Sequence, residues 1–164
     1  MKQSKKAFTM IELVFVIVVI GILAAVAIPK LSATRDDAVI TKARVLIASV
    51  RNALAMERQK RILRGAFKPL IAVGDSTNVF GNFYDGNVST PHDTGVAVLE
   101  YPIPSEDKKD RWHFSSGTGK SGRDQYIFNS MLGDVKFEVV SGKFECDISK
   151  TNNINDSGCI QLSR

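Results

Sequence analysis

Glu12 is the side chain whose position most demands a chemical explanation. From Phe8 to Ile28 only Thr9 and Glu12 are polar, and Leu13 to Ile28 carries no polar side chain at all. A carboxylate at the centre of a membrane segment costs about 2.5–3.5 kcal/mol on insertion scales, and less near the interface. Such a group calls for a cation. A cut after Ala7 would make one, because the new α-amino group of Phe8 lies four positions before Glu12, one helical turn away. The same ammonium on a neighbouring subunit would serve equally well.

Other reactive types are sparse. Cys146 and Cys159 are the two cysteines, and with two histidines in the whole chain they make a poor zinc set. A disulfide in an oxidising compartment is the natural reading. Gly117-Thr118-Gly119-Lys120-Ser121 resembles a phosphate loop only in part. The full pattern needs a glycine where Phe114 stands, so a hairpin loop is expected. His92 follows Pro91, and His113 lies between Trp112 and Phe114. Neither belongs to a nucleophile–base order, and no catalytic residue, metal site or cofactor is expected. Asn87-Val88-Ser89 and Asn155-Asp156-Ser157 fit a glycosylation sequon too short to carry weight.

These residues need elements to place them. Residues 1–7 are polar and basic, and the apolar run that follows is long enough to cross a bilayer as a helix. Basic residues before the run keep its N-terminal end cytoplasmic. Two plainer readings compete. One is a cleaved secretory signal with Ala25-Val26-Ala27 as its site; the other is a simple anchor. Glu12 argues against both. Past Pro29 the helical pattern continues: Val39, Ala43, Leu46, Ile47, Val50 and Leu54 share one face. Arg44, Arg51 and Arg58 recur on another. Glu57 can pair with Arg61 one turn on. Gly65 after Arg64 marks a stop, with Pro69 beyond it. A helix from Phe8 to Arg64 is expected, with Gly21 and Pro29 as sites of bending or local unwinding. The net charge is +5, but Lys2, Lys5 and Lys6 fall in the leader, so the basic balance is weak support for a nucleic-acid partner. The basic stretch from Arg58 to Arg64 reads first as a solvated helix end whose cations suit the dipole.

Ala7-Phe8-Thr9-Met10-Ile11-Glu12-Leu13 resembles the prepilin peptidase site of the type IV pilin and pseudopilin family. Members have a short basic leader, a cut before Phe, Glu at the fifth mature position and an apolar helix in which Pro29 would also match. The resemblance covers about residues 1–50. It implies cleavage between Ala7 and Phe8, N-methylation of Phe8, and packing of the helix into a filament core with Glu12 setting register. One departure is Ala7, where the family usually has Gly.

The C-terminal half reads as loop, then sheet. Lys68 to Pro104 is rich in Gly, Asn, Asp, Ser and Pro, with turn signals at Gly74–Asn78 and Tyr84–Asn87. Strands are expected at Val96–Tyr101, Arg111–Phe114 and Gln125–Phe128. A hairpin is expected from Val135 to Ile148 around Ser141-Gly142, its one buried face carrying Val135, Phe137, Val139, Phe144, Cys146 and Ile148. The fold class is α+β, an antiparallel sheet on the amphipathic half of the long helix. A Cys146–Cys159 bond would close a polar loop (Asp147 to Gly158) and contribute roughly 3 kcal/mol; the resemblance implies the same staple. Calcium there lacks ordered ligand spacing.

The resulting expectation is a leader (1–7), a transmembrane and filament-core helix (8–28), an amphipathic helical half (29–64) and a periplasmic sheet head (65–164). The resemblance implies a structural subunit of a type IV pilus-like filament, anchored once in the inner membrane. Its partners would be other pilins, prepilin peptidase, an inner-membrane assembly platform and lipid. The alternative is a minor pilin or pseudopilin that primes assembly, or binds DNA or secretion substrates in natural transformation or type II secretion.

Overall fold

A computed structural model describes residues 8–131, 133–147 and 153–163. The chain divides into two compact units, Met1–Ala38 and Val39–Arg164. Helix α1 spans Met10–Leu63, beginning two residues later than the apolar pattern suggests. Its C-terminal end closes as expected. Gly65 takes a positive φ of 74°, Ala66 N–H donates to Arg61 C=O and Gly65 N–H to Ile62 C=O. That pair of bonds satisfies two of the orphan carbonyls of the last turn, and the left-handed φ favours glycine at position 65.

In the first unit the helix turns only itself to view: from Met10 to Leu31 its large apolar side chains are exposed. The assignment as helix is unbroken through Gly21 and Pro29. Pro29 has no N–H to give Ala25 C=O, so one rung of the ladder is missing there.

In the second unit the expected face of α1 is buried. Ala43, Ile47, Val50 and Leu54 enter the core, with Val39 and Leu46 packed partly against it. Two antiparallel sheets supply the other side. Strands β1 (Leu70–Ala72), β2 (Asn82–Asn87) and β3 (Thr90–Ala97) form a meander, and β4 (Trp112–Ser115), β5 (Gln125–Ser130), β6 (Gly133–Val140) and β7 (Lys143–Cys146) form a second one in chain order. The architecture is α+β, as expected. Phe80, Trp112, Tyr126, Phe137 and Phe144 make its aromatic centre, with Phe80 and Trp112 ring centroids 5.1 Å apart and Phe137 stacked on Phe144 at 5.1 Å. Tyr126 is wholly buried, and its hydroxyl accepts the Val73 N–H at 2.8 Å. Burial pushes its phenol well above the usual range.

The β6–β7 hairpin matches its expectation. Ser141 (φ 51°) and Gly142 (φ 74°) both take positive φ, the two-residue turn that suits strand twist. Three other expectations change. The stretch from Lys68 to Pro104 is not simply a loop, because it contains β1, β2 and β3. Tyr84–Asn87 lies in β2, and the turn falls at Val88–Ser89. Its turn-forming composition hid the strands because β3 is solvent-facing over most of its length and carries no apolar alternation. The strand expected at Val96–Tyr101 is the tail of β3, which ends at Ala97. The polar loop expected before Gly158 gives way to helix α2 (Asn153–Ser163); Ile148 and Asn152 lie outside the described residues. Asn, Asp and Gly are weak helix formers, and here tertiary packing overrides them. Gly158 lies so close to β6 that a Cβ there would run into the Val135 methyl, while Cys159 and Leu162 are buried.

Asp75 organises the turn before β2. Its Oδ1 accepts the N–H groups of Thr77 (2.7 Å) and Asn78 (2.9 Å), and its Oδ2 accepts the Tyr84 hydroxyl at 3.1 Å. Burial pushes the Asp75 carboxyl up, but those three bonds outweigh it and the net shift is downward. Tyr84 moves the other way, to about 12, through burial and then the Asp75 bond.

Candidate functional site

Helix α1 begins with a reciprocal cap. Thr9 Oγ1 accepts the Glu12 N–H at 3.3 Å, and Glu12 Oε2 accepts the Thr9 N–H at 3.4 Å. Thr9-Met10-Ile11-Glu12 is the Thr-x-x-Glu pattern in which the two residues satisfy each other's orphan donors. The spacing is itself a local sequence signal for this cap, a role for Glu12 separate from its cost in lipid. The bonds are long and fully exposed, so the carboxylate is held loosely and keeps capacity for a stronger partner. A negative side chain in the first turn also suits the helix dipole.

Phe8 stands just before this cap and is 80% exposed; Ala7 lies outside the described residues. A Cβ added at Gly21 would meet nothing within 4 Å. The helix is long and apolar enough to cross a membrane, its most apolar window wholly unburied. An apolar surface of this extent, with one carboxylate at its start, needs lipid or other helices around it.

The first twenty-eight residues carry a recognised signature: a family model described as the prokaryotic N-terminal methylation motif matches residues 2–28. The chain is also similar to the type IV major fimbrial protein FimA of Dichelobacter nodosus, 32% identical over 112 residues, which is 66% of this chain and 69% of that protein. The chain belongs to the type IV pilin family. No solved structure matches it.

The pilin's C-terminal end is fastened at several points. Cys146 at the end of β7 is bonded to Cys159 in α2, with Cα atoms 5.8 Å apart. Arg44 Nε donates to Gln161 C=O, and Arg51 Nε donates to Phe144 C=O at 3.0 Å. Two members of the arginine stripe on α1 therefore hold β7 and α2. Arg61 pairs with Asp85 of β2, not with Glu57 one turn away. Both partners are nearly buried there, and the long-range contact fixes α1 against the first meander. Glu57 is itself buried.

The glycine-rich loop is a carboxylate cradle. Lys120 N–H donates to Glu138 Oε1 at 3.0 Å, Gln125 Nε2 donates to the same oxygen at 3.0 Å, and Arg123 Nε reaches Oε2 at 3.2 Å. Glu138 is 2% exposed, so its charge is desolvated and balanced locally. Gly119 is required for this approach, since a Cβ there would strike the Glu138 carboxylate. Lys120 Nζ lies 2.9 Å from Asp147 Oδ1, and that bond raises the lysine above its usual range. The backbone donor that a phosphate would use is thus committed to Glu138. His92 and His113 each stand 3.6 Å from a carboxylate, Asp85 and Asp107. Among the described residues no group of three or more His, Cys, Asp or Glu is placed to hold a metal ion.

Proposed function

We propose that this pilin is a structural filament subunit, made as a membrane-anchored precursor, cut between Ala7 and Phe8 by prepilin peptidase and methylated on Phe8. The observation that carries the reading is the uncovered apolar helix from Met10 to Leu31 with Glu12 at its start. In the precursor, Glu12 caps its own helix through Thr9. After the cut, a cationic amine appears one turn away, and the same amine is offered by every neighbouring copy. A charged donor is roughly twice as strong a partner as a neutral one. Pairing Glu12 with the Phe8 amine of the next subunit offsets the cost of taking both from the membrane into a helical bundle and fixes their register. The chain would cross the inner membrane once, with its head in the periplasm until the assembly platform extracts it. Gly21 and Pro29 are where the extracted helix would unwind. The name of the fimbrial relative favours a major subunit over a minor one, and a pilus over a secretion or transformation apparatus.

The test is the N-terminal residue and intact mass of protein from its host, followed by filament yield from Glu12→Ala. A chain beginning at N-methylated Phe8, and a variant that stays in the membrane but assembles poorly, are expected. A chain beginning at Ile28 would make the segment an ordinary signal. Normal yield from Glu12→Ala would remove the register role. Antibody labelling along whole filaments marks a major subunit, and labelling confined to a few points marks a minor one.

A further inference from the structure

Beyond Arg44 and Arg51, the stripe on α1 continues to Arg58, and no hydrogen bond or ion pair holds Arg58 among the described residues. It stands over a groove of about 650 Å³ between the last turns of α1 and strand β7, floored by Leu54, Ile62 and Phe144 and flanked by Lys143. β7 is an open edge of its sheet. Asp147 N–H donates to Lys136 C=O at 2.8 Å, which makes that pair a hydrogen-bonded one. Alternation along the ladder then turns the Phe144 N–H away from β6 and out to the edge. Arg51 takes the Phe144 C=O. Gln59 and Glu145 also line the groove, but Arg51, Arg58 and Lys143 outnumber that one carboxylate over the apolar floor, so the occupant that fits brings acceptors, negative charge and apolar surface.

The same head carries such a segment elsewhere. In Glu100-Tyr101-Pro102 the Tyr101 ring is 79% exposed, Glu100 beside it is exposed, and Pro102 offers a carbonyl without an N–H. Among the described residues neither Glu100 nor Tyr101 makes a side-chain hydrogen bond or ion pair. Tyrosine is a favoured interface anchor, and a cation over its ring adds attraction.

We infer that the groove of one head receives Glu100-Tyr101 of a second copy, with Glu100 meeting Arg58 and Lys143. The two patches are different, so the contact is heterologous; repeated without closing a ring, as the filament reading requires, it generates an open helical array. The inference rests on the filament reading above and names one head-to-head contact within it.

Charge reversal tests it in the full-length chain in its host. Arg58→Glu and Glu100→Arg each put like charges face to face, and filament yield should fall about tenfold in each. The double variant should recover most of the loss. Equal membrane levels and an intact Cys146–Cys159 bond control for folding. Single variants with undiminished yield overturn the contact and leave the filament reading standing. A loss in Arg58→Glu alone, with no recovery in the double variant, also overturns it, because the groove then serves an acidic partner other than this chain. If the unaltered protein forms no filament, the filament reading fails and the contact with it.

Discussion

Replacing Tyr126 with Phe removes one oxygen from the middle of the head. That oxygen accepts the Val73 N–H at 2.8 Å, and both residues are fully buried. No water can reach the freed amide, so the variant bears the desolvation of an unsatisfied donor, about 1–3 kcal/mol. The ring is retained, so its stacking with Phe80 (centroids 5.8 Å apart) and contact with Phe144 should persist. Loss of the buried hydroxyl offsets part of the cost, which places the expected value near the middle of that range. Trp112 is the single tryptophan and lies in the same aromatic cluster, in contact with Phe80. Its fluorescence during urea unfolding of the detergent-solubilised chain therefore reports on this core. The midpoint should fall with an unchanged slope. The hydroxyl also gives a pH signature. Burial raises the folded phenol above its unfolded value of about 10, so its contribution is complete below pH ~10 and is lost as pH climbs beyond. Tyr126→Phe should remove that part of the alkaline loss. A destabilisation under about 0.5 kcal/mol would show that the amide finds another acceptor, and the reasoning would be wrong.

Reduction of the Cys146–Cys159 bond, or Cys159→Ser, should destabilise the head by about 3 kcal/mol, since it frees a loop of this size in the unfolded chain; unfolding curves with and without reductant check it. Gly158→Ala gains roughly 1 kcal/mol of helix propensity but forces a methyl against buried Val135, at a cost of about 1–3 kcal/mol. The expected result is modest net destabilisation with faster reduction of the disulfide, measured by thiol labelling; a more stable variant would mean that α2 shifts freely on β6.

The parts legible in the sequence were those whose signal is local and periodic. The buried face of α1 from Val39 to Leu54, the stop at Gly65 and the β6–β7 hairpin all announce themselves within a few residues. The meander of β1 to β3 did not. β2 alternates in burial, but one of its two buried residues is the polar Asp85 and Gly86-Asn87 follows, while β3 is exposed from Thr90 to Asp93, so neither shows in its residue types the apolar–polar alternation that reveals a half-buried strand. Helix α2 was hidden for another reason: its residues favour turns, and β6, the disulfide and the arginines of α1 help to hold them in a helix. The partner of Arg61 was equally beyond reach. A neighbour one turn away was visible as Glu57, whereas Asp85 becomes adjacent only once β2 is in place. At the candidate site, the leader motif is a local signal, and so is the Thr-x-x-Glu spacing of the Thr9–Glu12 cap.

The bonds from Arg44 to Gln161 and from Arg51 to Phe144 set an order on biosynthesis. The first links residues 117 positions apart and the second 93. The ribosome therefore delivers the face of α1 that carries Val50 and Leu54 long before the residues that cover it. During that interval the nascent head presents an unfinished apolar surface, where a chaperone would be useful and a protease would have its opportunity. A chain arrested before Cys159 would lose both the lid over that surface and the second sulfur. Quality control could then recognise it by what it fails to hide, without reading its sequence.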